Sequence, residues 1–329
     1  MSQDIIDFAD AKARLGDHIV RGTAAGGYIR AVAITARKTV QTARSNHNSS
    51  PLVTAALGRL MMGGQMMGVL GKNEGELVTL IVRGDGPIGG LTVTANNKGQ
   101  VKGYAIHPNV WLPLNSKSKL DVGTGIGRGT LTVVHDQPGF EPYSSQVELA
   151  SGEIGDDLTY YFAVSDQIPT SVGVGVLVDI DTSVRQAGGF IVQLMPGYGD
   201  ELAAKLEDNL KGITSVTDML EEGLSPNDML LRVLDGLDYQ ELEAVPAEFR
   251  CGCNEGRAKR VVLALGRAEL EDMIQKHEPA ETTCAFCGKT YVFSPDQLQE
   301  LLDQSEAAGR SVEAAPTLDD MSAMGMETD

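Results

Sequence analysis

Four cysteines form the one set in this chain whose residue type and spacing could do chemistry. They stand as Cys251-Gly252-Cys253 and Cys284-Ala285-Phe286-Cys287, two close pairs separated by thirty residues, with no fifth thiol elsewhere. Thiolates bind Zn²⁺ tetrahedrally, and a closed four-sulfur site holds structure together rather than activating a substrate. The pattern therefore reads as a single Cys₄ zinc site. Two other readings stand beside it: unrelated buried thiols, and a pair of permanent disulfides. The second needs an oxidising compartment, and nothing marks the chain as secreted.

The details of the two pairs add to this. The C-x-x-C followed by Gly288-Lys289 resembles a zinc knuckle, whose turn aims backbone N–H groups at sulfur. The C-x-C half is less common, and Gly252 lets the backbone bend between its two thiols without Cβ strain. Four thiolates around one Zn²⁺ leave two negative charges uncompensated. Arg250, Arg257, Lys259, Arg260 and Lys289 are close enough in sequence to soften them. Nearby cations also favour thiolate and speed its oxidation, so such a site can be structural and reactive at once. An enzyme is not expected. A nucleophilic cysteine needs a base, and His277 is the sole histidine near the four in sequence, with His18, His47, His107 and His135 far away. No carboxylate pair, nucleophile elbow or H-E-x-x-H motif appears.

The elements that must position these thiols belong to a chain of 329 residues, 42% hydrophobic, long enough for two or more domains. Its net charge of −18 argues against nucleic acid or an anionic membrane as a main partner, because phosphate binding needs clustered Lys and Arg. Residues Met1 to Asp10 are acidic and carry no apolar signal region. The longest apolar stretch, Leu52 to Leu70, is interrupted by Arg59, Gln65 and four glycines, which is too polar for a membrane span. A cytoplasmic protein with reduced thiols is the expectation.

Residues 1–196 read as an α+β core domain of sheet and helix. Asp4 to Leu15 predicts a short opening helix or a strand–helix step. Gly27 to Thr39 predicts a strand, and Arg44 to Ser50 a polar loop. Pro51 opens a helix, where its missing N–H is harmless. That helix carries Leu57, Leu60, Met61, Met62, Met66, Met67 and Leu70. Methionine clusters suit adaptable binding surfaces, but an apolar helical stripe with Gly63-Gly64 for close packing more often means core. Strands follow at 76–83, 90–95 and 100–106, the last two joined by an Asn96-Asn97-Lys98-Gly99 hairpin turn. Gly123 to Gly129 invites a nucleotide-loop reading. Its glycines alternate, however, and the β-like Thr130 to Val134 follows where a phosphate loop needs a helix. Gly288-Lys289-Thr290 fails in the same way, since Thr283 stands where a glycine is required. Further strands are expected at 147–149, 171–179 and 188–194, with a helix at 154–165. No β-α-β alternation demands a parallel sheet.

Composition shifts after Pro196. From Asp200 to Glu248 there are thirteen acidic residues against Lys205, Lys211 and Arg232. Short helical patterns recur within 197–248: Leu202, Leu206 and Leu210; Val216, Met219 and Leu220; then, after Ser225-Pro226, Met229, Leu230, Val233 and Leu234. Short helices are marginal alone, and their like charges repel. They need something to pack on, which suggests a helical acidic linker that is folded only conditionally. An ordinary acidic helical hairpin is the other reading. The zinc-binding module takes 249–303. Helices at 256–265 and 268–276 fill the thirty-residue gap with a break at Gly266. A strand at 290–293 and a helix from Ser294-Pro295 to about Asp303 close it. The acidic 304–329 tail is expected to be disordered.

With these residues assembled, the chain resembles the 33-kDa chaperonin family of redox-regulated heat-shock chaperones. Cys251-x-Cys253 and Cys284-x-x-Cys287 match that family's C-x-C and C-x-x-C pairs and the gap between them. Gly86-Pro87-Ile88 and Gly103-Tyr104 match its early sheet. Pro142-Tyr143, Gly152-Glu153-Ile154, Tyr160-Tyr161-Phe162 and Ser165 to Pro169 match the stretch before the linker. Ala187 to Phe190 and Gln193 to Gly197 match the end of the core. The likeness spans residues 4–303. Asp166 stands where the family more often has Glu, and the tail is longer than the family suggests.

The resemblance implies an ATP-independent holdase that binds unfolded or partly unfolded proteins under oxidative stress and is a homodimer when oxidised. It implies one Zn²⁺ per chain, held by Cys251, Cys253, Cys284 and Cys287 in an idle reduced state. It implies an active oxidised state with Cys251–Cys253 and Cys284–Cys287 disulfides, the zinc gone, and module and linker unfolded. Gly252 makes the short Cys251–Cys253 ring feasible, though strained. Energies agree in direction. A module of about fifty residues buries too little to be stable alone. Zinc is worth about 10–16 kcal/mol to such modules, whereas whole domains are stable by about 5–15 kcal/mol. Met229, Leu230, Val233 and Leu234, once freed, are candidate client contacts. The competing reading is a constitutive zinc-stabilised adaptor without a redox switch.

Overall fold

The computed structural model describes residues 16–307 other than Lys72. They form two compact units whose boundary in the sequence falls between Arg250 and Cys251. Both mix helices with sheets, the α+β class read from the sequence. The opening element expected over residues 4–15 and most of the 304–329 tail lie outside the described residues.

In the first unit, β1 (His18–Ala24) and β2 (Ile29–Thr35) pair antiparallel, and the turn between them holds Ala25, Gly26 and Gly27 at positive φ. Helices α1 (Arg37–His47) and α2 (Pro51–Val69) follow. Then come β3 (Leu77–Gly84), β4 (Gly90–Asn96) and β5 (Gln100–Ala105), the one-turn helix α3 (Val122–Ile126), and β6 (Gly129–Asp136) with β7 (Tyr143–Glu148). Helix α4 (Gly155–Tyr161) runs on through a π turn at Phe162–Asp166 into β8 (Thr170–Val178) and β9 (Val184–Leu194). Helices α5 (Asp200–Lys211), α6 (Val216–Glu221) and α7 (Pro226–Val233) precede β10 (Gln240–Pro246) and the two-residue β11 (Glu248–Phe249). One sheet has the order β10-β1-β2-β9-β8 and the other β11-β5-β4-β3-β6-β7. Every pairing is antiparallel except β11 with β5.

Helix α2 is the shared core of both sheets. Ser50 caps it by accepting from the Val53 N–H, and Pro51 fills its first turn. Every residue from Leu52 to Val69 except Arg59 is buried, so the methionines are core packing and present no free surface. Its glycines make that packing possible. A Cβ at Gly58 would lie 2.7 Å from Val40 and 3.0 Å from Val176, and one at Gly68 would lie 2.7 Å from the Asn96 carbonyl oxygen. Three polar residues lie within the helix: Thr54 bonds the Ser49 hydroxyl at 2.8 Å, Gln65 donates to the Gly99 carbonyl at 2.7 Å, and Arg59 pairs with Glu153 at 2.6 Å.

The acidic segment after Pro196 finds its packing partner within this same unit. Leu206, Met219, Leu220, Met229, Leu230, Val233 and Leu234 bury themselves with Val20, Ala31, Ala33, Phe190 and Val192 of the first sheet. Helix α7 is closed by a reciprocal cap. Ser225 Oγ accepts from the Asp228 N–H at 3.3 Å, and the Asp228 carboxylate accepts from the Ser225 N–H at 3.0 Å.

Several expectations need correcting. The strand expected over 27–39 ends at Thr35. Arg37–His47, expected as strand end and loop, is helical, because Thr39, Val40 and Ala43 share one buried face inside an otherwise polar segment. Strand β1 lies in a stretch for which no element was expected. Residues 240–246, expected within a helical linker, form an edge strand on β1. The pairing shifts register between Arg21 and Gly22, which leaves Leu242 without a partner on β1 and exposed, so the strand carries no clean period-two signature that sequence reading could have caught.

The second unit holds α8 (Glu255–Leu263), α9 (Arg267–Lys276), the antiparallel pair β12 (Ala280–Thr283) and β13 (Thr290–Phe293), and α10 (Pro295–Ala307). The helices break at Gly266 as expected, with that residue at φ +90°. The expected 290–293 strand is present, while its partner β12 was not foreseen. Eight buried residues make up its core: Ala258, Val262, Leu270, Ala280, Phe293, Leu298, Leu301 and Leu302.

The attachment of β10 is open to a direct test. A Cβ at Gly22 would lie 2.3 Å from the Tyr239 ring and 2.6 Å from the Gln240 carbonyl oxygen. Gly22→Ala should therefore loosen the β1–β10 pairing by about 1–3 kcal/mol, the usual cost of overpacking. Native-state hydrogen exchange should show faster exchange for amides of 240–246 with those of α2 unchanged.

Candidate metal centre

Two loops of the second unit carry the thiols. Cys251 and Cys253 immediately precede α8, whose first turn is fixed by Asn254 Oδ1 accepting from the Arg257 N–H at 2.9 Å. Cys284 and Cys287 lie in the loop between β12 and β13, whose last paired residues are Thr283 and Thr290. This loop is a tight turn. The Cys284 N–H donates to the Lys289 carbonyl at 3.0 Å, and the Cys287 and Gly288 N–H groups both donate to the Cys284 carbonyl, at 3.3 and 2.8 Å. The turn requires φ +70° at Gly288, which a residue with a Cβ adopts only at a cost. The glycine of the Gly288-Lys289 pair thus serves the knuckle and no phosphate.

All four Sγ atoms lie within 4.8 Å of one another, and the described residues contain no other group of three or more His, Cys, Asp or Glu gathered in this way. The four thiols are half-buried and unbridged. Four sulfurs about 2.3 Å from a central zinc would stand about 3.8 Å apart at the corners of a tetrahedron. The shortest separations here are 3.6 Å for Cys251 to Cys284 and 3.4 Å for Cys253 to Cys287. Donor type, number and spacing therefore suit a tetrahedral thiophilic ion. Both short contacts run between the loops rather than within the C-x-C or C-x-x-C pairs.

The sulfurs are electrostatically unequal. The Tyr291 hydroxyl donates to Cys253 Sγ at 3.3 Å. That donation holds the Cys253 thiol down at about 7. Burial pushes Cys287 up to about 12 and raises Cys251 as well. Tyr291 is itself pushed up to about 12, first by its bond to Cys253. The hydroxyl thus favours thiolate at Cys253, while burial disfavours it at Cys251 and Cys287. The cations expected to soften this charge are partly engaged elsewhere. Arg250 pairs with Glu248 at 3.4 Å and Lys259 with Glu255 at 2.8 Å. Lys289 lies 4.7 Å from the centre of the Tyr291 ring, and Arg257 reaches back toward Gly252. Tyr291 is the residue that motif reading missed. The available signal was its place two residues after Lys289 on a strand leaving the knuckle, since alternate strand residues share a face.

The remaining sequence candidates lie in different settings. Met229, Leu230, Val233 and Leu234 are brought together, but in the core of the first unit, with exposures of 0, 0, 0 and 2%. The glycine-rich stretch forms α3 and a bend, where a Cβ on Gly127 would strike the Asp85 carboxylate at 2.2 Å, so its glycines are structural. His18 and His47 lie against the Gly16 and Gly103 carbonyls, and His135 stacks on Tyr143, all in the first unit. His277 ends α9 in a left-handed turn at φ +56°. No described helix is long and apolar enough to cross a membrane.

Comparison with known proteins gives a consistent result. Residues 17–294 match the family model described as Hsp33 protein. The 33 kDa chaperonin of Agathobacter rectalis is 46% identical over 287 residues, covering 87% of this chain and all of that one. The 33 kDa chaperonin of Geobacillus kaustophilus is 44% identical over 288 residues, covering 87% of this chain and 98% of its own. Among solved structures, the 33 kDa chaperonin of Thermotoga maritima superposes with a TM-score of 0.83 at 38% identity, covering 89% of this chain and 99% of that one.

The inequality of the thiols predicts their reactivity, because the thiolate is the nucleophile. In metal-free reduced protein at pH 7.5, iodoacetamide should label Cys253 before Cys287. The Cys253 rate should fall as pH drops through about 7, where its thiol regains the proton. Peptide mapping by mass spectrometry reads both, and equal labelling at all four positions would contradict the assignment.

Proposed function

This chain belongs to the Hsp33 family of chaperones, and from that premise we propose that it is an ATP-independent, redox-regulated holdase for unfolding proteins. The observation that carries the proposal is a four-thiol cluster set in a unit whose described residues include eight buried core residues. The working division is a chaperone core over 1–196, a conditionally folded linker over 197–248, a redox switch over 249–303, and a tail over 304–329 whose role the proposal does not use. Cytoplasmic residence follows from the need for reduced thiols at rest. Client binding involves no turnover, so the protein is not an enzyme. The net charge of −18 disfavours nucleic acid and anionic membranes as partners. Dimerisation in the oxidised state is carried over from the family.

In the reduced state Cys251, Cys253, Cys284 and Cys287 hold one Zn²⁺. The bound ion supplies four metal–sulfur bonds, worth about 10–16 kcal/mol to a module of this size. Oxidation removes the donors. Each disulfide forms as two thiolates surrender two electrons to hydrogen peroxide, which takes up two protons from solvent and is reduced to two waters. Pairing within each loop, Cys251 with Cys253 and Cys284 with Cys287, is the proposed outcome, although the closest sulfurs lie across the loops. A cross-loop bond would staple the module as the metal does. Once the loops part, the partner two or three positions away has the smallest closure entropy to overcome.

Loss of the switch reaches the linker through the residues just before Cys251. Ala247 N–H to Asp17, Glu248 N–H to Gly99 and Arg250 N–H to Val101 are the last backbone hydrogen bonds there, at 3.0, 3.2 and 2.8 Å. Behind them lies an edge strand, then three short helices within a segment of thirteen acidic and three basic residues. With the adjoining module unfolded, that segment frays from its C-terminal end. Its release uncovers Met229, Leu230, Val233 and Leu234, together with the sheet residues they cover, and these are the proposed client contacts.

Three measurements test the proposal. A colorimetric chelator should record about one zinc per chain released by peroxide, with a matching fall in aggregation of a heat-unfolded client and reversal of both by reductant. Zinc that stays bound, or that leaves with no gain in holding, returns the site to a constitutive staple in an adaptor. Peptide mapping of the oxidised protein should find Cys251–Cys253 and Cys284–Cys287; cross-loop pairs would contradict the pairing. Replacing Leu230 and Leu234 together with Ser should weaken client holding by the oxidised form, since it removes apolar surface from the proposed contact. Unchanged aggregation suppression would remove them from the client surface.

A further inference from the structure

Cys253 is distinguished from its three neighbours by a hydroxyl. Tyr291 Oη donates to its sulfur at 3.3 Å, and the Tyr291 backbone is held opposite Thr282 in the β12–β13 ladder. The ring packs against the small core of the second unit, leaving its hydroxyl end at the thiols. Lys289 Nζ lies 4.7 Å from the ring centre, a cation–π arrangement that fixes the ring and brings a positive charge beside the cluster. Strand, core and cation all restrain this side chain and hold its hydroxyl toward the thiols.

We infer that Tyr291 is a positioning residue for the metal, setting the orientation and charge of the Cys253 sulfur through its hydroxyl, with Lys289 as its support. The inference rests on the reading of the four thiols as a zinc site. A four-thiolate zinc site carries two excess negative charges in a half-buried place. An O–H donated to one sulfur takes up part of that charge and fixes the direction of its lone pairs. Partners of metal ligands act in this way generally, and removing one typically weakens binding by about 10–100-fold. A tyrosine there for packing alone would serve equally well as phenylalanine, which separates the two roles.

The test uses the full-length reduced protein with Zn²⁺ and Co²⁺ as probes. Tyr291→Phe keeps the ring and the strand and deletes only the donor. In competition with a chromogenic chelator it should bind Zn²⁺ about 10–100-fold more weakly than the unaltered protein. Its Co²⁺ complex should show a shifted thiolate-to-cobalt charge-transfer band, while far-ultraviolet circular dichroism of the loaded protein stays the same. Lys289→Met, which removes only the cation, should weaken Zn²⁺ binding about two- to fivefold and keeps the inference testable should the phenylalanine variant misfold. Variants that bind Zn²⁺ as tightly as the unaltered protein, with an unshifted cobalt band, overturn the inference and leave the zinc reading standing. An unaltered protein that binds no Zn²⁺ overturns the zinc reading itself.

Discussion

The second unit cannot bury enough apolar surface to hold itself together. Eight core residues, three of them on its last helix, cannot offset the conformational entropy of the residues they order, which costs about 1–2 kcal/mol of backbone alone for each. Its two short helices and four-residue strands need a cross-link, and the four thiols supply the place for one. That constraint explains why the cysteines lie where they do. One pair opens the unit and the other closes its hairpin, so a single ion would tie both ends of its helical layer. On the proposed reading, a unit so dependent on sulfur is stable while the sulfurs bind metal.

In sequence, the segment that precedes the second unit is stable for a different and equally narrow reason. Helices α5 to α7 carry charge that disfavours compaction and apolar stripes that favour it. The stripes win because a sheet face of Val20, Ala31, Phe190 and Val192 is available to them. Edge strand β10 follows the same pattern: it extends the first sheet while presenting Glu241 and Glu243, and charged edges discourage pairing with stray chains. The fully buried α2, enclosed by both sheets, has no such balance to lose. The chain thus runs from a robust core, through a docked but charge-strained segment, to a small unit that carries the four thiols.

Much of this was legible in the sequence where local chemistry decides the outcome. Ser50-Pro51 marked the start of α2, Asn96 to Gly99 the hairpin, Ser225-Pro226 the cap of α7, and Gly266 the break between α8 and α9. Each acts within a few residues of itself. The four cysteines were legible because their type and spacing carry their chemistry wherever the chain leads them. What the sequence hid depended on distant partners. Helix α1 is polar on most of its surface, and its narrow apolar face gains meaning from the β9 and core residues it covers. Strands β1 and β10 support each other across more than two hundred positions, and β10 follows helices whose pattern masks it. Tyr291 looks like an ordinary strand aromatic until the fold aims its hydroxyl at Cys253. The four apolar residues of α7 and its end, read as a future client surface, are buried in the folded chain, and that reading concerns the opened state alone.

Metal at the four thiols is proposed to keep the acidic segment docked. Hydrogen exchange on the full chain, compared between the reduced zinc-loaded form and the peroxide-oxidised form, tests this most directly. The account predicts that amides of 255–303 lose protection on oxidation, that those of α5 to α7 and β10 lose it with them, and that α2 and β3 to β6 keep theirs. Oxidation that opens the second unit while residues 200–246 remain as protected as before would contradict it, because the switch would then have no route to the chaperone core.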